Sequence, residues 1–303
     1  MPKVSVIMRC KNSDWVIGQA LTALHSQTFK DYELIIVDSG STDKTLDIIK
    51  EFPHKLIKIK AQDYYPGAVL NMACEQAQGE IIVFQNSDTV PLISETLELL
   101  LKPFEDENTA ATFARQLPRS EAELWVRRDY AISFPDEENA PEWLPYSLPL
   151  AAMRKEKWLE QPFYTDSWAS EDTDWGYRAR EKGWNVQYVK EAIVMHSHNY
   201  SFKQLYGRKY VEGEADAWIY GKTPSFLSCL ASWIKRSLSE SLLYLRHLKL
   251  GGAIKAIFRQ RIAHIGYHEG LKMGAERRAK GDNDPSKGQI VILENYNDGN
   301  ISG

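Results

Sequence analysis

Four short segments carry side chains whose types and spacing suit chemistry on a phosphorylated, hydroxyl-bearing substrate. Gln85-Asn86-Ser87-Asp88 follows the apolar run Ile81–Phe84, and a carboxylate at the end of a buried strand can hold a divalent cation against phosphate oxygens. Asn and Asp also end strands simply by forming Asx turns. In the second segment, Ser170-Glu171-Asp172-Thr173-Asp174 precedes Trp175-Gly176-Tyr177-Arg178. Acids at a helix start suit the macrodipole without any function, and Arg178 is spaced to pair with Asp174. The same placement leaves a carboxylate directed out of the helix end, and Asp172 is the candidate general base. The third segment holds His196 and His198. An eleven-residue helix starting near Asp172 spans roughly 16 Å and a five- or six-residue strand returns roughly 16 to 20 Å, so the histidines can come back beside it. Two histidines after a strand and near acids form a candidate metal-ligand pair, whereas a lone histidine is more often structural. Finally, Asp38 stands in Val37-Asp38-Ser39-Gly40-Ser41-Thr42-Asp43. Its carboxylate could accept from a nucleobase N–H or a ribose hydroxyl, or serve turn and cap chemistry as Ser41, Thr42 or Asp43 starts a helix.

These residues must be positioned by the elements around them, and the chain alternates apolar runs with helical patterns. Strands are expected at 4–8, 33–37, 55–59, 81–84 and 110–114, with helices through 16–24, 46–52, 67–76 and 93–104. Such alternation predicts an α/β fold, a mostly parallel sheet covered by helices on both faces. Ligands of such sheets bind beyond the carboxyl ends of the strands, where Arg9, Lys11, Asp38, Asn86 and Asp88 fall. There is no Gly-x-Gly-x-x-Gly after the first strand and no Gly-Lys-Ser/Thr loop, so a nucleotide has to be held by side chains and a cation. After Gln116 the pattern is irregular through Pro149, then gives a helix from about Glu171 and a strand at 186–189. This second half should shape an acceptor site.

Length and composition fit one large domain with an appendage. The chain has 303 residues and a net charge of −4, and no apolar stretch is long enough to cross a membrane. An N-terminus that runs directly into a strand pattern and three scattered cysteines, Cys10, Cys74 and Cys229, lead us to expect cytoplasmic residence. Residues 231–280 hold eleven basic residues against three acidic ones, and Leu227, Leu230, Ile234, Leu238, Leu242 and Leu245 form one stripe in a helical pattern that begins at Phe226. Such a basic amphipathic region either packs on the domain or a second subunit, or meets an anionic membrane surface. Residues 281–303 read as a loose tail.

Taken together, the motifs resemble family 2 glycosyltransferases of the GT-A fold, over roughly Val4 to Gly221. The resemblance implies a GT-A catalytic domain at 1–221, with a nucleotide-sugar half (1–116) and an acceptor half (117–221), then a basic helical extension at 222–280. It implies that Asp38 contacts the base, with Arg9 nearby, and that Asn86-Ser87-Asp88 stands for the family's Asp-x-Asp element. In that element Asp88 binds Mn²⁺ or Mg²⁺, and the first position is here Asn. Asp172, after Glu171, corresponds to the catalytic base, with Trp175 and Arg115 as acceptor-side or supporting residues. His196 falls where many members place a further metal ligand, ahead of His198. Phe113–Pro118 and His196–Ser201 look most like bacterial rhamnosyltransferases of surface polysaccharide assembly. The function implied is inverting transfer from a nucleoside-diphosphate sugar to a glycan or lipid-linked glycan hydroxyl, at the inner face of the cell membrane. The competing classes are a non-catalytic nucleotide-sugar binder, suggested by Asn86, and a nucleic-acid binder built on the basic helices. Asp172 and His196 argue against the first. The second lacks any nucleic-acid motif, and no nucleic acid is expected as a partner.

Overall fold

Three strands carry side chains buried on both of their faces, which makes them the centre of a sheet rather than its rim. In β1 (Val4–Cys10), Val6 and Met8 enter one hydrophobic cluster and Ile7 the other, as the two-residue period of a strand requires. After α1 (Ile17–His25), β2 (Tyr32–Asp38) divides in the same way, Leu34 and Ile36 against Ile35 and Val37. Beyond α2 (Thr45–Ile49), β3 (Lys55–Lys58) and α3 (Pro66–Gln76), β4 (Ile81–Asn86) again splits, Val83 against Ile82 and Phe84. Helix α1 covers the first face through Ala20, Leu21 and Leu24, and α3 covers the second through Val69, Leu70 and Ala73. The computed structural model describes residues 3–137 and 144–296.

The remaining elements of this body are β5 (Val90–Pro91), α4 (Thr96–Leu101), β6 (Thr109–Leu117), β7 (Leu150–Arg154), α6 (Lys155–Glu160), α7 (Glu171–Glu181) and β8 (Asn185–Met195), with α5 (Leu124–Ser133) belonging to it in part. The sheet runs β3-β2-β1-β4-β7-β6-β8-β5. Its first four strands are parallel, as expected. The other half is mixed: β7 is antiparallel to β4 and β6, β6 is parallel to β8, and β5 is antiparallel to β8. Because β1 has β2 on one side and β4 on the other, its carboxyl end is a topological switch point, where the following loops part and leave a crevice.

The chain divides into two compact units, the sheet unit and one formed by 121–128, 165–171 and everything from His198 onward. This second unit begins earlier than the division expected after Gly221. It contains α8 (Phe202–Tyr220), α9 (Phe226–Arg246), α10 (Leu250–Lys280) and α11 (Ser286–Tyr296). Helices α8 and α10 run side by side in the same direction, and Gly266, Gly270 and Gly274 of α10 lie against the main chain at Tyr206, Tyr210 and Glu214. A Cβ on Gly266 would stand 2.6 Å from the Tyr206 carbonyl oxygen, so only glycine permits this approach. One expectation is corrected here. The loose tail contains α11, which meets α8 where Gly207 abuts Asn295; residues 297–303 lie outside those described. Two of the basic residues of this unit are buried in ion pairs. Arg277 is buried on Glu214 at 2.9 Å and Arg259 on Glu240 at 2.6 Å, and burial pushes the Glu214 carboxyl up against the pull of Arg277.

Candidate functional site

At the end of β4 the chain turns at once. The Thr89 N–H donates to the Asn86 carbonyl at 3.0 Å, which puts Asp88 at the corner of a tight turn. The turn is tied to the loop after β1, because the Ser87 N–H donates to the Arg9 carbonyl at 3.3 Å and the Ser87 and Ser13 hydroxyls meet at 2.9 Å. Val90 and Pro91 then pair with Met195 and Val194. Asp88 stands two residues before that ladder and His196 one residue after it, so the pairing brings them to the same end. Asp88 Oδ2 lies 3.7 Å from His196 Nε2. With His198, two residues further along the same segment, one ligand atom from each of the three lies within 4.8 Å of the others.

The second ring nitrogen of His196 shows how the first is used. His196 Nδ1 is 2.8 Å from Gln116 Oε1, while the Gln116 amide nitrogen donates to Ser147 Oγ at 3.0 Å. With the Gln116 amide in that orientation the imidazole donates from Nδ1 to Oε1, and Nε2 is turned toward the Asp88 carboxylate. An imidazole nitrogen and a carboxylate oxygen 3.7 Å apart in a largely buried setting are held together by a proton or a cation shared between them. Two ligands each about 2.1 Å from a divalent ion stand roughly 3 to 4 Å apart. The residues therefore fit a cation, with a hydrogen-bonded outer partner of the kind that fixes ligating histidines.

Arg119 was not anticipated from the sequence. Its guanidinium Nη2 donates to the Asp88 main-chain carbonyl at 2.6 Å and lies over the Trp15 ring at 4.9 Å, while its backbone N–H donates to Ser197 Oγ at 3.0 Å. It holds the Asp88 turn and the His196 segment together and places a buried positive charge behind both. The Tyr130 hydroxyl, 3.3 Å from His196 Nδ1, is a second unanticipated neighbour.

Asp172, the candidate base, lies in the first turn of α7. Its Oδ1 accepts from the Thr173 N–H at 2.8 Å and its Oδ2 from the Leu148 N–H at 3.3 Å. The next residue, Pro149, accepts from the Asn86 N–H at 3.0 Å. Asp172 and the end of β4 are thus fastened to adjacent residues of one strand-entry segment. Ser170, at φ +69°, turns the chain sharply before Glu171 opens the helix. Asp174 pairs with Arg178 at 2.8 Å, as the spacing suggested, and burial pushes its carboxyl up. Trp175 is fully buried, packs against Tyr146 and donates to the Gln161 carbonyl at 2.7 Å. Arg115 forms an ion pair with Asp136 at 2.5 Å.

Asp38 is buried at the end of β2, and its carboxylate accepts from the Gly40 N–H at 3.1 Å and the Ser41 N–H at 3.2 Å. Turn chemistry is what these contacts perform. Burial and the neighbouring Asp38 push the Cys10 thiol far up, which keeps it unreactive. The loops after β1 and β2 are joined where the Thr42 N–H donates to Asn12 Oδ1 at 2.8 Å. Arg9 lies in register between Val37 and Asn86, and its guanidinium donates to the Tyr64 hydroxyl at 3.2 Å. Asp38, Arg9 and Asn86 therefore share the carboxyl edge of three adjacent parallel strands, at the switch point.

A family model described as "Glycosyl transferase family 2" matches residues 5–169, which include the β1–β4 half of the sheet, Asp38 and Asp88. The chain is similar to the O-antigen chain rhamnosyltransferase RfbN of Salmonella typhimurium, 27% identical over 247 residues that cover 77% of this chain and 75% of that protein. It is also similar to the O-antigen chain rhamnosyltransferase WbaN of Salmonella anatum, 29% identical over 70% of this chain and 72% of that one. Among solved structures, the mannosyltransferase PcManGT of Pyrobaculum calidifontis, in complex with GDP-Man and Mn²⁺, superposes with a TM-score of 0.58 and 18% identity, covering 98% of this chain and 88% of that one. The fold is accordingly GT-A, an α/β sheet flanked by helices with C-terminal helices beyond it. Matched over more than half its length, the chain is a glycosyltransferase and belongs to glycosyl transferase family 2.

Proposed function

We propose that the enzyme transfers a sugar, with rhamnose the favoured one, from a nucleoside diphosphate to a hydroxyl of a growing surface glycan, with inversion at the anomeric carbon. The observation that carries this reading is the pair Asp88–His196, with His196 Nδ1 committed to Gln116, set beside Asp172 through the Asn86–Pro149 and Leu148–Asp172 hydrogen bonds. Rhamnose is supported by the two similar O-antigen enzymes.

Asp88 and His196, with His198 at hand, would hold Mn²⁺ or Mg²⁺, which when bound would neutralise the diphosphate leaving group. An imidazole among the ligands favours Mn²⁺. Asp38, Arg9 and Asn86 at the switch point would receive the nucleoside. The Leu148 and Thr173 N–H groups fix the direction of the Asp172 carboxylate, which accepts the proton of the acceptor hydroxyl. As that oxygen bonds to the anomeric carbon, the bond to the diphosphate oxygen breaks and its electron pair leaves with the nucleotide. Attack from the face opposite the leaving group inverts the centre in one displacement, and holding both reactants in line supplies much of the acceleration. Arg119 adds fixed positive charge behind the Asp88 turn, where the developing negative charge needs it.

Asp172→Asn tests the assignment. Turnover should fall by about 10²- to 10⁴-fold, while the donor's dissociation constant, measured by calorimetry with Mn²⁺, stays within about twofold of wild type. Near-normal turnover would move the base elsewhere, and loss of donor binding would make Asp172 a structural residue.

A further inference from the structure

Helix α9 is built inside out. The face it turns inward carries Ser237, Glu240 and Tyr244, and it contacts α10 through Ser241 to the Ala253 carbonyl (2.9 Å) and Glu240 to Arg259. The face it turns outward carries Leu227, Leu230, Ile234, Leu238, Leu242 and Leu245, all exposed. Helix α10 repeats the pattern in its first half. Ala253, Ala256 and Arg259 are buried while Leu250, Ile254, Ile257 and Phe258 are exposed. At the tip between them, the Leu248 N–H donates to the Leu245 carbonyl and the Lys249 N–H to the Tyr244 carbonyl, each at 2.9 Å. That is a Schellman closure, whose left-handed position normally takes glycine. Here it is Leu248, at φ +57° and 93% exposed.

A soluble protein places leucine inside and polar groups outside because water is the outer medium. Reversal over two neighbouring helices indicates that the outer medium is apolar, and the charges say of which kind. Lys235, Arg236, Arg246, Lys249 and Arg261 are exposed along this hairpin. The sole carboxylate in residues 222–265 is Glu240, which is buried on Arg259. A second copy meeting this face by a twofold axis would set cations against cations, because such interfaces are self-complementary. Neither helix is long and apolar enough to cross a membrane, and a helix with leucines on one face and cations beside them lies within the interface. We propose that the outer face of the α9–α10 hairpin docks in the headgroup layer of an anionic lipid bilayer, with Leu248 at its tip immersed.

The test is co-sedimentation of the full chain with vesicles of phosphatidylglycerol and phosphatidylcholine in equal parts, against vesicles of phosphatidylcholine alone. Binding should require the anionic lipid and weaken with salt. Replacing Lys235 and Arg236 by Ser should weaken it by up to roughly fivefold per charge. Leu238→Glu with Leu242→Glu should weaken it at least about tenfold, leaving the circular dichroism spectrum and nucleotide release from a sugar donor unchanged. That last control separates the anchor from the transfer reaction, which could fail independently. Leu248→Trp offers a readout that does not depend on the double variant folding, since its emission should shift to the blue on anionic vesicles. Three results would each overturn the proposal: wild-type protein left in the supernatant at low salt, Leu248→Trp emission unchanged by vesicles, or a dimer that the paired Glu substitutions dissociate without altering sedimentation.

Discussion

The sheet unit and the helical unit solve the problem of a core in opposite ways. In the sheet unit the interior is aliphatic and aromatic, and the ionisable groups stand at strand ends, where hydrogen bonds hold the Asp38 and His196 side chains and the main chain of Asp88. In the helical unit the interior is glycine, alanine and paired charge, with Gly266, Gly270 and Gly274 against the backbone of α8 and Arg277 buried on Glu214, while leucines face outward. A buried charge pair contributes little net stability but is costly to break, whereas an aliphatic core degrades gradually as atoms are removed. The first unit should therefore tolerate change at its chemical residues, and the second should fail sharply at a few positions.

The largest expected effect follows from Glu214→Ala, which leaves Arg277 charged and buried and should cost about 3–5 kcal/mol of stability, read as a lowered denaturation midpoint. Little change would mean that Arg277 finds water or another partner, and the two units would differ less than stated. Next, Gly270→Ala drives a methyl group into the Tyr210 carbonyl region and should destabilise by roughly 2–3 kcal/mol. In the sheet unit, His196→Ala should lower Mn²⁺-supported binding of a nucleoside diphosphate by about tenfold or more, with a smaller change in the denaturation midpoint than either helical variant. If it unfolds the protein instead, its bond to Gln116 is structural. The smallest effect is expected at the hairpin tip, where Leu248→Gly relieves a left-handed leucine. It should shift stability by less than about 1 kcal/mol and should weaken binding to anionic vesicles.

The same contrast decides what could be read from the amino-acid order. Val4–Met8, Ile35–Val37 and Ile81–Phe84 announce themselves because a strand buried on both faces is apolar throughout, and the ends of such strands point directly to Asp38 and Asp88. His196 was legible through its place after a strand. Gln116 and Arg119 were not, because their roles depend on β6 lying beside β8, a pairing of residues nearly eighty positions apart that leaves no local pattern. The leucine stripe of α9 is plain in the sequence, but a stripe does not say which way it faces, and the burial of Arg259 on Glu240 and of Arg277 on Glu214 leaves no local pattern. Helix α11 escaped because Gly281 to Gly288 is polar and glycine-bounded; what favours it is Asp284, whose carboxylate accepts from the Ser286 N–H and hydroxyl, and contact with α8, where Gly288 abuts Glu214.

The glycine ladder between α8 and α10 has one more implication. Contacts repeated every four residues look much the same after a slide of one turn, roughly 6 Å along the axis, so shape alone is a poor gauge of alignment. Polar groups break that near-symmetry, because Arg277 meets Glu214, Tyr267 meets Asp216 and Tyr206 meets Glu269 in a single setting of the two helices. These pairs act as the notches of a vernier: the glycines let the helices approach, and the charges and hydroxyls select the position at which they stop.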